Sequence, residues 1–330
     1  MTSTEIYSVG SELAKSVVST RDLLEEARIE DSLLVENSLG ILEVRQAPAS
    51  AKPSELAIPA AEKAIESSKL PLSSIDAVIY CGIERDCPEP ATAHIIASAL
   101  GIHPKICFDV ANACHGFTSG LHVASSMIKG RDIQHALVVT AELSSNVTRE
   151  VTKAFRNNSL GQEDIKTHLG AFTVGDAGGA MILGPGDEDK GIKMIRSGAV
   201  SDHYKLCSYT INNGNISFMM DMGRISAVTL KLLREMVGPA YGELDWTPDD
   251  VDLFIPHQVG ARPFQKLLDL VGIENDKSIA TYPYLGNLAS ATIPVCYDML
   301  QQQGKMKPGS KILVASSGSG IVATFMGLTL

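Results

Sequence analysis

Three residues of this chain have the types and settings for nucleophilic catalysis: Cys114, His257 and Asn287. In Phe108-Asp109-Val110-Ala111-Asn112-Ala113-Cys114-His115-Gly116-Phe117 an apolar strand runs into small residues, and a helical pattern then continues to about Ile128. Unpaired amides and the positive end of the dipole at a helix N-terminus favour a thiolate, so this setting predicts a nucleophile with a lowered pKa. Cys81, Cys107 and Cys296 lie in apolar sequence and read as small buried hydrophobes. Leu253-Phe254-Ile255-Pro256-His257-Gln258 ends a strand with proline and presents an imidazole at the strand's carboxyl end, where sites of α/β sheets gather. Taken alone, His257 equally fits a hydrogen-bonded structural histidine. Asn287, in Tyr284-Leu285-Gly286-Asn287-Leu288-Ala289-Ser290, likewise fits a helix cap.

The elements that must position these residues follow from the apolar pattern. Runs such as Ile75 to Tyr80 and Ile106 to Val110 alternate with helical stretches at Ala91 to Leu100 and Phe117 to Ile128, which is α/β organisation. The chain also resembles itself at an offset of 176: residues 73 to 80 align with 249 to 256, and 135 to 142 with 311 to 318. Two copies of one α/β unit are therefore expected, 1–175 carrying the cysteine and 176–330 carrying the histidine and asparagine. Glycine-bearing polar stretches put the join somewhere in 160 to 195. Corresponding helix N-termini should meet near a pseudo-twofold axis, and a site would form there.

With 330 residues, 45% of them hydrophobic and 20% charged, the chain can bury a substantial core. No apolar run approaches the roughly 18 residues of a membrane span, so no membrane association is expected. A start without a basic stretch and apolar segment sets the expectation of a cytoplasmic location. The net charge of −10 disfavours nucleic acid. Arg149, Lys153 and Arg156 form a local basic group that suits an acidic carrier protein or a nucleotide phosphate, or simply a solvated helix face. Six scattered cysteines without a C-x-x-C pair argue against a disulfide framework and a metal site.

Asn112-Ala113-Cys114-x-Gly116-Phe117, Pro256-His257-Gln258-x3-Arg262 and Gly286-Asn287-x2-Ser290-Ala291-x2-Ile293-Pro294 resemble, in order, the Cys, His and Asn signatures of ketosynthase III enzymes. Gly175-Asp176-Ala177-Gly178-Gly179-Ala180 and Ser317-Gly318-Ser319-Gly320 also look like landmarks of that family. The resemblance implies the thiolase fold, duplicated α/β halves in five layers (αβαβα). It implies that Cys114 is acylated, with its own amide and that of Ser319 forming the oxyanion hole. His257 and Asn287 would donate hydrogen bonds to the thioester carbonyl of the second substrate. Arg262 would help dock acyl carrier protein, and no cofactor is implied beyond substrates carried as coenzyme A or carrier-protein thioesters. Asp176 reads as part of a strand-turn motif supporting the site.

Glu84-Arg85-Asp86-Cys87-Pro88-Glu89-Pro90-Ala91-Thr92-Ala93 resembles the Arg-Asp-x-x-Glu-Pro-Ser-Thr-Ala stretch of the olefin-pathway β-ketoacid synthases and of pyrone and chain-joining ketosynthases. There the glutamate reaches into the partner subunit's site, so Glu89 becomes the candidate base of a Claisen condensation without decarboxylation. The competing reading makes Glu89 a helix-terminal carboxylate followed by proline. A base working across an interface requires a dimer, here a homodimer, with a heterodimer as the alternative. The runner-up activities are a decarboxylating 3-oxoacyl synthase using malonyl carrier protein, and acyl transfer to an oxygen or nitrogen acceptor. The stretch from Asp31 to Gly40 lacks the tryptophan that primary-metabolism starters place against adenine; the chain's only one is Trp246.

Overall fold

The computed structural model describes residues 3–187, 189–212 and 215–330. Its strands are β1 (Ser3–Leu13), β2 (Ser16–Ser19), β3 (Glu43–Gln46), β4 (Ile75–Tyr80), β5 (Ile106–Asp109), β6 (His135–Glu142) and β7 (Ala177–Gly186). They continue with β8 (Gly191–Ala199), β9 (Cys207–Asn212), β10 (Asn215–Met220), β11 (Leu253–Pro256), β12 (Lys311–Gly318) and β13 (Val322–Thr329).

Two sheets repeat one plan. The first runs β1-β7-β6-β4-β5 and the second β8-β13-β12-β11. In the first, β4 is parallel to β6 and β6 antiparallel to β7; in the second, β11 is parallel to β12 and β12 antiparallel to β13. Where β5 flanks β4 in parallel, a single parallel bridge from Phe254 to Ser278 flanks β11. The sheets change between β7 and β8, inside the 160 to 195 window. β7 thus belongs to the first sheet, although a division at 175/176 assigns it to the second half.

Side-chain alternation within the strands separates the layers. Ala77 and Ile79 of β4 and Ile312 and Val314 of β12 face one shared core with Phe117, Leu121, Ile293 and Leu300, so helices Gly116–Lys129 and Thr292–Gln302 form the middle layer. The opposite faces pack outward. Val78 and Tyr80 meet helices Ser54–Ser68 and Thr92–Ala99, while Leu313 and Phe254 meet helices Met222–Leu244 and Ala261–Val271. These are the five layers of the thiolase fold. A separate apolar cap joins helices Thr20–Glu26 and Ser145–Arg156 with the turn Leu169–Phe172 and the β9–β10 hairpin, around Leu24, Phe155, Phe172 and Phe218.

Candidate active site

The two middle helices begin 176 residues apart, at Gly116 and Thr292, and each is preceded by a short 3-10 turn, Ala113–His115 and Ala289–Ala291. Each turn opens with an alanine in the left-handed region, Ala113 at φ 47° and Ala289 at φ 46°. An L-residue there costs roughly 1–2 kcal/mol, so both turns hold local strain. The tight packing behind Cys114 explains Gly116, because a Cβ there would lie 2.2 Å from the Cys81 carbonyl oxygen.

Cys114, His257, Asn287, Ser319 and Arg262 line one cavity of about 890 Å³, together with Glu84, Glu142, Cys207 and Tyr209. The thiol does not match the expectation of a lowered pKa. Burial pushes Cys114 up, and the nearby Glu142 and Cys207 add to this; its own amide opposes them without prevailing. Desolvation of a thiolate beside a carboxyl outweighs the helix terminus. Cys114 at rest is a protonated thiol.

His257 lines the same cavity. Its amide donates to the Ala315 carbonyl at 2.7 Å, which fixes it at the end of β11. Nδ1 lies 3.2 Å from Thr292 Oγ1, and that hydroxyl gives its single proton to the Ala289 carbonyl at 3.0 Å. Nδ1 therefore carries the ring hydrogen and Nε2 has a free lone pair. Burial, reinforced by His115, holds His257 down at about 4, so the imidazole is neutral. Behind it, buried Gln258 donates to the Ile279 carbonyl at 2.7 Å and accepts from the Thr281 and Tyr282 amides at 2.8 and 3.1 Å, tying down the segment that leads to Asn287.

Asn287 is held by its backbone to Thr173 and Gly175, and its Oδ1 accepts from the Ala289 amide at 2.9 Å. Among the described residues Nδ2 meets no acceptor, so it is available as a donor. Asp176 caps helix Ser145–Arg156 through the Ser145 amide at 2.8 Å and also accepts from the Ala47 amide at 2.8 Å. It is structural, as the sequence suggests. His115 is buried and points to Ser119 and Thr324, at 2.9 and 2.7 Å, and does not line the cavity. Cys81 and Cys296 are buried as expected, whereas Cys107 is half-buried.

Glu89 is the expected site residue that does not join the cavity of its own chain: it is exposed. Its loop is clamped at both ends. Asp86 accepts from the Ser54 amide and hydroxyl at 2.9 and 2.6 Å, and Asp109 accepts from the Thr92 and Ala93 amides at 2.9 and 3.0 Å while Arg85 lies 3.4 Å away. Asp109 therefore caps helix Thr92–Ala99, and the helix-capping reading of Glu89 fails. Arg149, Lys153 and Arg156 line a groove of about 350 Å³ with Arg28, but Lys153 and Arg156 already pair with Glu150 and Glu26, at 3.8 and 3.3 Å.

Sequence reasoning passed over Glu142. Its Oε1 accepts from the Ser290 hydroxyl and, at 3.3 Å, from the Ser290 and Ile83 amides, while Oε2 is buried and meets no partner among the described residues. Burial raises it to about 8. The signal was present: a glutamate closing an apolar strand at the same carboxyl edge that carries His257. Lys166 and Lys266 were also missed; both are exposed and line the cavity beside Arg262.

Comparison with known proteins places this geometry. Residues 108–202 match the profile described as 3-oxoacyl-[acyl-carrier-protein (ACP)] synthase III, and 242–329 the profile of its C-terminal part. The acyl-CoA:acyl-CoA alkyltransferase of Shewanella oneidensis is 30% identical, with 98% of this chain and 97% of that one covered. The β-ketoacyl-[acyl-carrier-protein] synthase III of Natranaerobius thermophilus is 26% identical, with 97% of each covered. A crystal structure of Xanthomonas campestris OleA with bound lauric acid and lauroyl-CoA superposes with a TM-score of 0.92 over 99% of both chains at 24% identity, a likeness of fold.

Proposed function

Because this chain belongs to the 3-oxoacyl-[acyl-carrier-protein] synthase III family, as a thioester-condensing acyltransferase, we propose that it joins two acyl thioesters through an acyl-Cys114 intermediate. The observation that carries this reading is one cavity lined by a raised thiol, an imidazole with a bare Nε2 and an amide donor. Cys114 Sγ attacks the first thioester as its proton passes to His257 Nε2. The backbone amides of Cys114 and Ser319 are suited to hold the oxyanion. Collapse expels the carrier thiolate, which takes the proton from His257 Nε2. Asn287 Nδ2–H can then receive the carbonyl oxygen of the second thioester as its α-carbon gives its proton to a base and becomes an enolate. Attack on acyl-Cys114 forms the carbon–carbon bond and expels the Cys114 thiolate, which that proton restores to the thiol.

The α-proton needs a base when no CO2 leaves. Glu89, exposed on a loop clamped at both ends, is suited to reach the cavity of a second copy, and a homodimer follows from that role. The substrates would arrive on coenzyme A or acyl carrier protein in the cytoplasm, with Lys166, Arg262 and Lys266 offering charge to phosphate at the cavity. Product analysis by mass spectrometry, with acyl thioesters supplied with and without a malonyl donor, tests the reading. Condensation without malonate that disappears in Glu89→Ala is expected. Strict malonate dependence with Glu89→Ala still active would make the reaction decarboxylating.

A further inference from the structure

We infer that Gly170 sets the length of acyl chain that the cavity takes, by leaving the space into which Met220 and Met222 fold back. This rests on the reading that an acyl thioester occupies the cavity. Phe218, Met220 and Met222 line it, all contributed by or just after β10, whereas Gly170 stands behind them in the turn Leu169–Phe172 and does not line it. Gly170 is buried and its φ is not positive, so the backbone would accept another residue.

What the position lacks is room. A Cβ on Gly170 would lie 2.8 Å from Met220 Sδ and 3.6 Å from Met222 Sδ, so two thioethers rest on one α-carbon. The rest of the turn is fixed: Thr148 donates to the Ala171 carbonyl, Thr173 to the Gly170 carbonyl at 2.8 Å, and fully buried Phe172 packs on Phe155. Methionine is unbranched with three rotatable bonds, so it yields before these neighbours do. The open space bordering both methionines is the cavity. A larger side chain at 170 therefore fills the cavity indirectly, without touching substrate.

Met220 is also the cross-strand partner of Cys207, and Cys207 raises the Cys114 thiol, so this wall belongs to the nucleophile's own cavity. Each methylene kept out of an apolar site costs about fourfold in binding. Excluding two or three carbons should lower the acylation efficiency of the longest accepted chains roughly 15- to 60-fold.

The test measures initial rates of Cys114 acylation by intact-protein mass spectrometry, using acyl-CoA thioesters from butyryl to palmitoyl. Gly170→Val should match the parent on short chains and lose the long ones, and Gly170→Ala should move the cut-off by a smaller step in the same direction. Adding Met220→Ala to Gly170→Val should restore long chains. Uniform loss at every chain length in a folded variant, an unchanged profile, or no restoration in the double variant would overturn the inference. Should the valine variant melt below assay temperature, the alanine step decides. A parent protein that acylates with no chain at all would sink the proposed function instead.

Discussion

The turns at Ala113–His115 and Ala289–Ala291 have the same backbone and opposite uses. Both begin with an alanine at φ near 46°, both precede a middle-layer helix, and they stand at the same place in the two sheets. In the first turn Cys114 borders the cavity, and no hydrogen bond from another described residue reaches its sulfur. In the second turn the equivalent Ser290 is buried, with its hydroxyl against Thr140 and Glu142. On the proposed function the first turn offers a nucleophile to a substrate; the second residue of the other turn is buried and helps lock the asparagine segment in place. The two turns share a backbone, and the side chains packed over them set which second residue borders the cavity.

Exchanging or deleting those side chains tests the contrast. The largest effect belongs to Cys114→Ala, which should abolish acyl-enzyme formation, whereas Cys107→Ala and Ser290→Ala should still be acylated; intact-protein mass spectra separate the three. Next come the groups that serve the two steps. Asn287→Ala should acylate at the parent rate and slow condensation about 100-fold. His257→Ala should slow acylation as well, because a raised thiol needs its proton removed; such a base contributes roughly 10²- to 10⁴-fold.

Acid stability should separate the turns too. His115, next to Cys114, is held at about 4 by burial and then by His122, and His257 at about 4 by burial and then by His115. Unfolded histidine titrates near 6.5, so below that pH the unfolded chain takes up protons that the folded one refuses. Stability is therefore full above about pH 6.5 and falls as pH drops toward 4, by up to about 3 kcal/mol for each histidine. Denaturant titrations of the parent and His115→Gln across that window should show a shallower fall in the variant. The second turn has Ala291 at the equivalent position and contributes no such dependence.

Smaller effects remain in the second turn. Ser290→Ala leaves Glu142 without its hydroxyl donor and should cost about 1–3 kcal/mol in stability. Ala113→Gly and Ala289→Gly each relieve a left-handed alanine and should raise the melting temperature by roughly 2 °C, partly offset by the greater entropy of glycine in the unfolded chain.

Much of this was legible in the sequence. The 176-residue offset anticipated β4 and β6 against β11 and β12, and the signatures around Cys114, His257 and Asn287 lead to one cavity. What escaped depends on burial and cross-chain packing. The Cys114 thiol is raised because desolvation and then Glu142 act on it, and neither is visible in a run of small residues before a helix. Gly170 reads as an ordinary turn glycine until Met220 and Met222, some fifty residues later, are found resting on it. Glu89 was singled out by its motif, yet nothing local in the sequence told that Asp109 would take over the capping of the next helix.

The most direct test is the mass of the intact protein after brief exposure to an acyl-CoA, followed by mapping of the modified peptide. A single acyl increment on the peptide containing Cys114, absent in Cys114→Ala and present in Ser290→Ala, is the predicted result. An increment that survives Cys114→Ala, or maps to Cys207 or another residue, would contradict the assignment of the first turn as the one that does chemistry.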